Sequence, residues 1–340
     1  MWTIKNRRRR SAAAFSTAAI VAAAIALTAC GSSSDAAPTS PPKSPTPSVT
    51  SSPAVPAVSI PVGKSTHSLT IGGMQRSYRV YRPKDVPTSA PLVVVLHGAL
   101  GSAQQAENSY GWDQQADSGH FVVAYPDGYK RTWAASPGCC GPAAAQHVDD
   151  TAFVTAVVQQ ISASLPIDSN RIYATGISNG GAMDYRLACD TDIFAAIGPD
   201  STNLLGDCPS PKPISVIHLH GLADQTFPFN GGPGKRNNGG TGTNPADTSG
   251  APIPQMIGTW RTLDDCAAPT SHASGAVTTS IANCPDGRAV ELITIAGAGH
   301  QWPGAPAPKG PEASQLDPPF MGLDATSTIW DFFQAHPKTG

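Results

Sequence analysis

Ser178 stands at the centre of Gly176-Ile177-Ser178-Asn179-Gly180, with a glycine two positions to either side. A serine hydroxyl is a weak nucleophile until a base takes its proton, so it needs a backbone that exposes it and partners that activate it. The spacing meets the first need. A sharp strand-to-helix turn has no room for side chains two positions from the serine, and glycines relieve that crowding. Such a turn also sets the serine beside the first N–H groups of a helix, which lack intrahelical acceptors and carry partial positive charge. Negative charge developing on an attacked carbonyl would be stabilised there.

An acid and a base should then follow later strands, where loops at strand ends converge. The apolar run 214–219 leads into His220-Gly221-Leu222-Ala223-Asp224, and 290–295 leads into Ala296-Gly297-Ala298-Gly299-His300. In the order nucleophile, acid, base, Ser178, Asp224 and His300 form a complete set for acyl transfer: the imidazole takes the serine proton, and the carboxylate holds the imidazole and stabilises its charged form. Asp200 also follows a strand and is a rival acid. Asp149 and Asp150 read as charges at a helix N-terminus. His67, His120, His147, His272 and His336 lie in polar or terminal settings, whereas His218 and His220 flank Leu219 in a strand, so one is expected inside and the other near the acid. The small-residue loop His97-Gly98-Ala99-Leu100-Gly101 follows the run 92–96 and offers the second half of an oxyanion hole. The donors are expected to be the backbone N–H of Asn179 and that of either Ala99 or Leu100, with His97 bracing the loop.

Elements that position these residues are legible as an alternation. A hairpin of 68–71 and 75–81 turns at Gly72-Gly73, and apolar runs follow at 92–96, 121–125, 172–175, 194–197, 214–219 and 290–295. Continuous apolar runs belong to strands covered on both faces. Helices are predicted over 151–165, 254–264 and 325–335 from apolar residues at helical spacing. The class is α/β, with a mostly parallel central sheet and helices on both faces.

Lys5 and Arg7 to Arg10 precede an apolar run ending in Leu27-Thr28-Ala29-Cys30. This reads as an export signal over 1–29 with Cys30 as a lipidated first residue, hence a membrane anchor. Removing the signal takes five of the 22 Lys and Arg and none of the 24 Asp and Glu, leaving a net charge of −7. An acidic chain offers nucleic acid no basic stripe. Residues 30–66 are Ser, Thr, Pro and Ala with no aromatic, too polar to bury a core, and form a tether spanning about 30 Å or more. Residues 67–340 suit one domain, expected to be monomeric. Six cysteines remain after Cys30, an even number in an exported domain. Cys189 with Cys208 and Cys266 with Cys284 are the favoured disulfides, each closing a loop of about 20 residues, while Cys139 and Cys140 are either an adjacent pair or free thiols.

Together, Gly176-Ile177-Ser178-Asn179-Gly180-Gly181, His97-Gly98-Ala99-Leu100, Tyr125-Pro126-Asp127-Gly128, Cys139-Cys140-Gly141, Val148-Asp149-Asp150 and Gly299-His300 with Trp302-Pro303-Gly304 resemble the bacterial polyhydroxybutyrate depolymerase and feruloyl esterase-like lipoprotein esterases. The resemblance covers about 67–333 and implies an α/β-hydrolase fold, a serine esterase activity on carboxylic esters without metal or organic cofactor, and the triad on Ser178, Asp224 and His300. Ala134 departs from relatives that carry Asn there. An acyltransferase using a cell-envelope alcohol, or a surface binding protein that keeps only the fold, are the other classes open to such a chain. Trp133, Phe227, Phe229 and Trp302 lie close to the catalytic loops in sequence and are expected to wall the substrate site. The segment 230–250 is glycine, asparagine and proline with Ala246 as its only aliphatic residue, so it cannot form the apolar lid of a lipase. Short-chain, hydroxyacid-oligomer or aromatic esters are therefore the expected substrates.

Overall fold

The run 92–96 lies within strand β3 (Ala90–Leu96), every residue of which is buried. Leu92, Val94 and Leu96 enter one apolar cluster and Val93 and Val95 another. This period of two is the signature of a strand sandwiched between layers. The computed structural model describes residues 56–235, 247–307, 309–314 and 316–339. The expected signal at 1–29, Cys30, and the centre of the polar segment 230–250 lie outside the described residues.

In chain order the other strands are β1 (Gly63–Ile71), β2 (Met74–Arg82), β4 (Val122–Pro126), β5 (Ile167–Ile177), β6 (Ala196–Asp200), β7 (Ser215–Gly221), β8 (Thr270–Ser274), β9 (Val277–Asn283) and β10 (Ala289–Ile295). They pair in one sheet ordered β1-β2-β4-β3-β5-β6-β7-β10-β9-β8. The block from β4 to β10 is parallel, with antiparallel pairs at both ends. Helices α4 (Asp150–Ser164), α5 (Asn179–Asp190) and α6 (Ile253–Leu263) bury Phe153, Met183 and Trp260 in the first cluster. Helices α1 (Ala103–Ser109), α2 (Trp112–Gly119) and α7 (Ala325–Ala335) place Ala106, Trp112 and Phe333 in the second. A short α3 (Gly141–Ala145) follows the paired Cys139 and Cys140. The chain leaves β3 toward β4 on one side and toward β5 on the other, so the strand order reverses at β3. Loops after β3 and β5 meet at that switch point, where α/β sheets place their sites.

One expectation needs correction and one omission needs filling. The tether does not run to residue 66: Val58 N donates to Ser164 Oγ at 2.9 Å, Gln160 Nε2 donates to Pro56 O at 3.0 Å, and Ile60 is buried. Anchored along α4, these residues join the folded domain despite a composition that reads as linker. The second concerns β8 and β9, which no periodicity announced. Thr270–Ser274 is exposed at every position, so the edge strand β8 gains order from pairing with β9, which buries Ala282, packs Val277 and Ile281 on the core and pairs with β10.

Candidate active site

Strand β5 runs into α5 through Ser178, whose backbone sits at φ 60°, ψ −124°, a conformation that L side chains rarely adopt. Such strain costs about 1–3 kcal/mol and persists only where the surroundings enforce it. Here β3 enforces it. A methyl at Gly180 would come within 2.3 Å of Leu96 O and 2.6 Å of His97 O, and one at Gly176 within 2.6 Å of Leu96 O. Both glycines are thus demanded by the closeness of the end of β3, and Ser178 N donates to Asp200 O at 2.9 Å on the other side. The result points the nucleophile's helix N-terminus at the strand ends.

Asp224 and His300 come together from the loops after β7 and β10, which are themselves joined by Leu222 N to Ile295 O at 3.0 Å and Ala223 N to Ala298 O at 2.8 Å. His300 Nδ1 lies 2.8 Å from Asp224 Oδ2, and Asp224 Oδ1 accepts from Thr226 N at 2.7 Å and Phe227 N at 2.9 Å. Burial pushes the Asp224 carboxyl up, but the charge and hydrogen bond of His300, then His220 and the Phe227 N–H, outweigh it and hold the group below the ordinary carboxylate range. Its ionised form therefore fixes the imidazole with Nδ1 as donor. The opposite nitrogen, Nε2, is buried and makes no hydrogen bond among the described residues. The rival Asp200 does not touch His300: its Oδ1 accepts from Ser201 Oγ at 3.2 Å, and burial, followed by the repulsion of Asp224, raises its carboxyl well above the usual range. Ser178, Asp224 and His300 are 3 %, 2 % and 0 % exposed, so charges among them act with little water between.

In the loop after β3, Ala99 and Leu100 differ in which backbone N–H is already engaged. Leu100 N already donates to Arg131 O at 2.9 Å, so this N–H is not spare. The N–H of Ala99 makes no hydrogen bond among the described residues, and a methyl at its neighbour Gly98 would lie 3.5 Å from Ser178 Cβ, which places this loop against the serine. His97 is a brace. Its Nδ1 donates to Gly98 O at 2.8 Å and its Nε2 accepts from Gly128 N at 3.0 Å, while burial lowers its pKa to about 4 and keeps it neutral. The Asn179 side chain clamps Trp133 in both directions, accepting from its N at 2.7 Å and donating to its O at 2.9 Å.

Residues 76–223, which hold the 97–101 loop and the Ser178 turn, match the family model described as esterase PHB depolymerase. Over 325 residues the chain is 32% identical to "Putative esterase NocK" of Nocardia uniformis subsp. tsuyamanensis, spanning 84% of this chain and 89% of that protein. It is 30% identical over 272 residues to feruloyl esterase C of Emericella nidulans, spanning 76% and 84% respectively. The chain belongs to the esterase PHB depolymerase family. Acetyl xylan esterase from Aspergillus awamori shares the α/β-hydrolase fold, with a TM-score of 0.52 over 80% of this chain and 99% of that one at 14% identity. As a member of this family the protein is a carboxylic ester hydrolase.

Of the four expected aromatic walls only Phe227, itself 1 % exposed, contacts a triad residue among the contacts of the described residues. Phe227 stacks on His300 with ring centroids 6.0 Å apart and belongs to a small apolar cluster with Ala182, Leu205, Cys139 and Cys140. The other three are corrected by their packing. Trp133 is fully buried and donates Nε1 to His97 O at 2.8 Å, so it holds the loop rather than facing a substrate. Trp302 is buried in the α7 layer, stacked on Tyr110 and bonded through Nε1 to Thr326 Oγ1 at 3.1 Å. Its edge borders a cavity of about 280 Å³ lined by Ser109, Gln114, Gln115 and Asp324, which includes neither Ser178 nor His300. Phe229 is half-buried behind the site, 5.8 Å from the His220 ring. Adjacency in sequence to a catalytic loop did not distinguish a wall from a brace, because a loop residue can face either way.

The disulfides Cys189–Cys208 and Cys266–Cys284 are present, and Cys139 is bonded to Cys140. Sequence reasoning missed Asp317, whose Oδ2 accepts from His300 N at 2.8 Å and whose own N donates to His300 O at 2.6 Å. That clamp approaches so closely that a methyl at Gly299 would lie 2.1 Å from Asp317 Oδ2. Asp317 sits in a proline-rich loop without periodicity, so only its partner reveals it. Asp149 caps α4 through Ala152 N at 2.8 Å, and Asp150 pairs with buried Arg76 at 2.7 Å while accepting from Ala134 N at 2.8 Å.

Proposed function

We propose that this esterase works through Ser178 as nucleophile, His300 as base and Asp224 as acid, forming an acyl-enzyme. The observation that carries this reading is His300, held through Nδ1 by an ionised Asp224 with Nε2 left without a partner, in the loop cluster that also contains the Ser178 turn. In the first half-reaction Ser178 Oγ attacks the ester carbonyl as its proton passes to His300 Nε2. The carbonyl oxygen becomes an oxyanion, stabilised by the N–H groups of Asn179 and Ala99. Collapse breaks the ester C–O bond, and the alcohol departs with the proton from His300. Water, deprotonated by the same nitrogen, then releases the acid and regenerates the serine.

Short-chain, hydroxyacid-oligomer or aromatic acyl groups fit this reading best. The Phe227 ring stacks on His300 and is backed by a buried cluster with Ala182, Leu205 and the Cys139–Cys140 disulfide, and a rigid aromatic beside the base suits a planar or short group more than a long chain. A relative named feruloyl esterase C supports an aromatic acyl. Rates on acetate, butyrate, hydroxycinnamate and palmitate esters, each below and above micelle formation, test this. The first three should turn over faster than palmitate, with no jump at the interface; fastest turnover of palmitate with such a jump would overturn the substrate class.

Export and lipid attachment at Cys30 complete the proposal, placing the domain on the outer side of a membrane. Full-length chain expressed in its native host should partition with membranes, and Cys30→Ser should release it. Retention of the Cys30→Ser chain on membranes would rule out the anchor.

A further inference from the structure

His218 and His220 are both fully buried and lie two residues apart on one face of β7; as expected, one packs inside, His218 against Tyr185, and the other, His220, sits near the acid. They form a chain of hydrogen bonds. Tyr185 Oη is 2.8 Å from His218 Nδ1, His218 Nε2 is 3.0 Å from His220 Nδ1, and His220 Nε2 is 2.8 Å from Phe227 O. A carbonyl only accepts, so His220 Nε2 carries a proton and its neutral Nδ1 accepts from His218 Nε2–H. His218 Nδ1 then accepts from the Tyr185 O–H. One direction of donation satisfies every group in the chain with both rings neutral. Burial, which disfavours the imidazolium, lowers both histidines and keeps them in that state.

The two ends of the chain lie on the two halves of the site. Tyr185 belongs to α5, the helix that Ser178 opens, and Phe227 belongs to the loop that carries Asp224. Phe227 is engaged three ways: its O accepts from His220, its N donates to Asp224 Oδ1 at 2.9 Å, and its ring stacks on His300. His220 Nε2 also stands 3.8 Å from Asp224 Oδ2, the oxygen that His300 Nδ1 reaches at 2.8 Å. We infer that Tyr185, His218 and His220 are positioning residues for the esterase reaction, a buried relay that registers the Asp224–Phe227 loop against the nucleophile's helix. This rests on the triad reading above. The relay never touches the ester; it sets where Asp224 holds His300, a contact whose worth is greatest when His300 becomes charged, so its loss is felt in turnover more than in binding.

The test is a set of variants assayed on one short ester. His220→Leu, folded by circular dichroism, should lose about 10- to 100-fold in kcat with KM within about twofold. His220→Gln can still present an Nε2–H to Phe227 O and should recover most of that loss, and Tyr185→Phe, which removes only the terminal donor, should lose a few-fold. The downfield proton resonance of the Asp224–His300 hydrogen bond, identified by its absence in Asp224→Ala, should shift or broaden in His220→Leu. If His220→Leu will not fold, His220→Gln and Tyr185→Phe carry the test alone: an unmoved resonance and wild-type kcat in Tyr185→Phe, or a His220→Gln whose KM rises while kcat holds, would overturn the relay. Ser178→Ala runs beside them as reference. Its activity reports on the triad itself, so failure of that reading and failure of the relay are told apart.

Discussion

Ser178→Ala is expected to fold and to lose about four orders of magnitude or more in kcat. The size follows from the mechanism: without the hydroxyl no acyl-enzyme forms, and what remains is water attacking an ester held near the Asn179 and Ala99 N–H groups. Folding should survive because the change removes one oxygen from a buried position and leaves both neighbouring glycines, Gly176 and Gly180, at their close approach to Leu96 O. Alanine inherits the same positive φ, so the backbone strain at this turn is unchanged. The measurement is steady-state hydrolysis of a short ester together with labelling by a serine-directed phosphonate probe. Wild type should take up one probe per chain and Ser178→Ala none. Turnover near the wild-type rate in a purified, folded Ser178→Ala sample would remove the serine from the reaction.

The second large effect separates two buried carboxyls. Asp224→Asn is expected to lower kcat by about 10³- to 10⁴-fold, since an amide can present its N–H to His300 Nδ1 and turn the ring to the wrong tautomer. Asp200→Asn should cost about tenfold at most, because among the described residues this carboxyl accepts from its neighbour Ser201 and makes no hydrogen bond to the base. A larger loss in Asp200→Asn than in Asp224→Asn would exchange their roles. The same pair of residues also predicts opposite behaviour with pH. Asp224 is depressed in the folded protein, so its ionisation stabilises the fold above the unfolded carboxylate range, and that contribution is lost as pH falls through the folded value. Asp200 is raised, so its contribution is present at low pH and is lost as pH rises. Unfolding midpoints measured across the acid range should therefore show a loss on acidification that Asp224→Asn reduces.

Much of the scaffold was legible because its signals are local. Strand β3 announced itself as five consecutive apolar residues, which only a strand covered on both faces needs, and the helix predicted over 325–335 is α7 as observed. Gly176 and Gly180 could be read as marking a tight turn because their absence of side chains has one physical use there, and the turn stands where they placed it. An even cysteine count with short loop spacings was enough to pair Cys189 with Cys208 and Cys266 with Cys284.

Other features depended on partners distant in the chain. Whether Ala99 or Leu100 has a spare N–H is decided by Arg131, 31 residues beyond Leu100, whose carbonyl accepts the Leu100 N–H. Trp133 and Trp302 have the same large apolar body whether they line a pocket or fill a core, and only His97 O and Thr326 Oγ1, each satisfying an indole N–H, show that these rings face inward. The polar edge strand β8 carries no apolar period because it is ordered by pairing with β9, and residues 56–66 carry a linker's composition because a single buried side chain, Ile60, and bonds to Gln160 and Ser164 of α4 suffice to hold them. So the chain alone determined the strands, the turn and the chemical types at their ends. The tertiary structure decided which protons are free at the site and which rings face it, since hydrogen bonds between distant segments consume some donors and leave others.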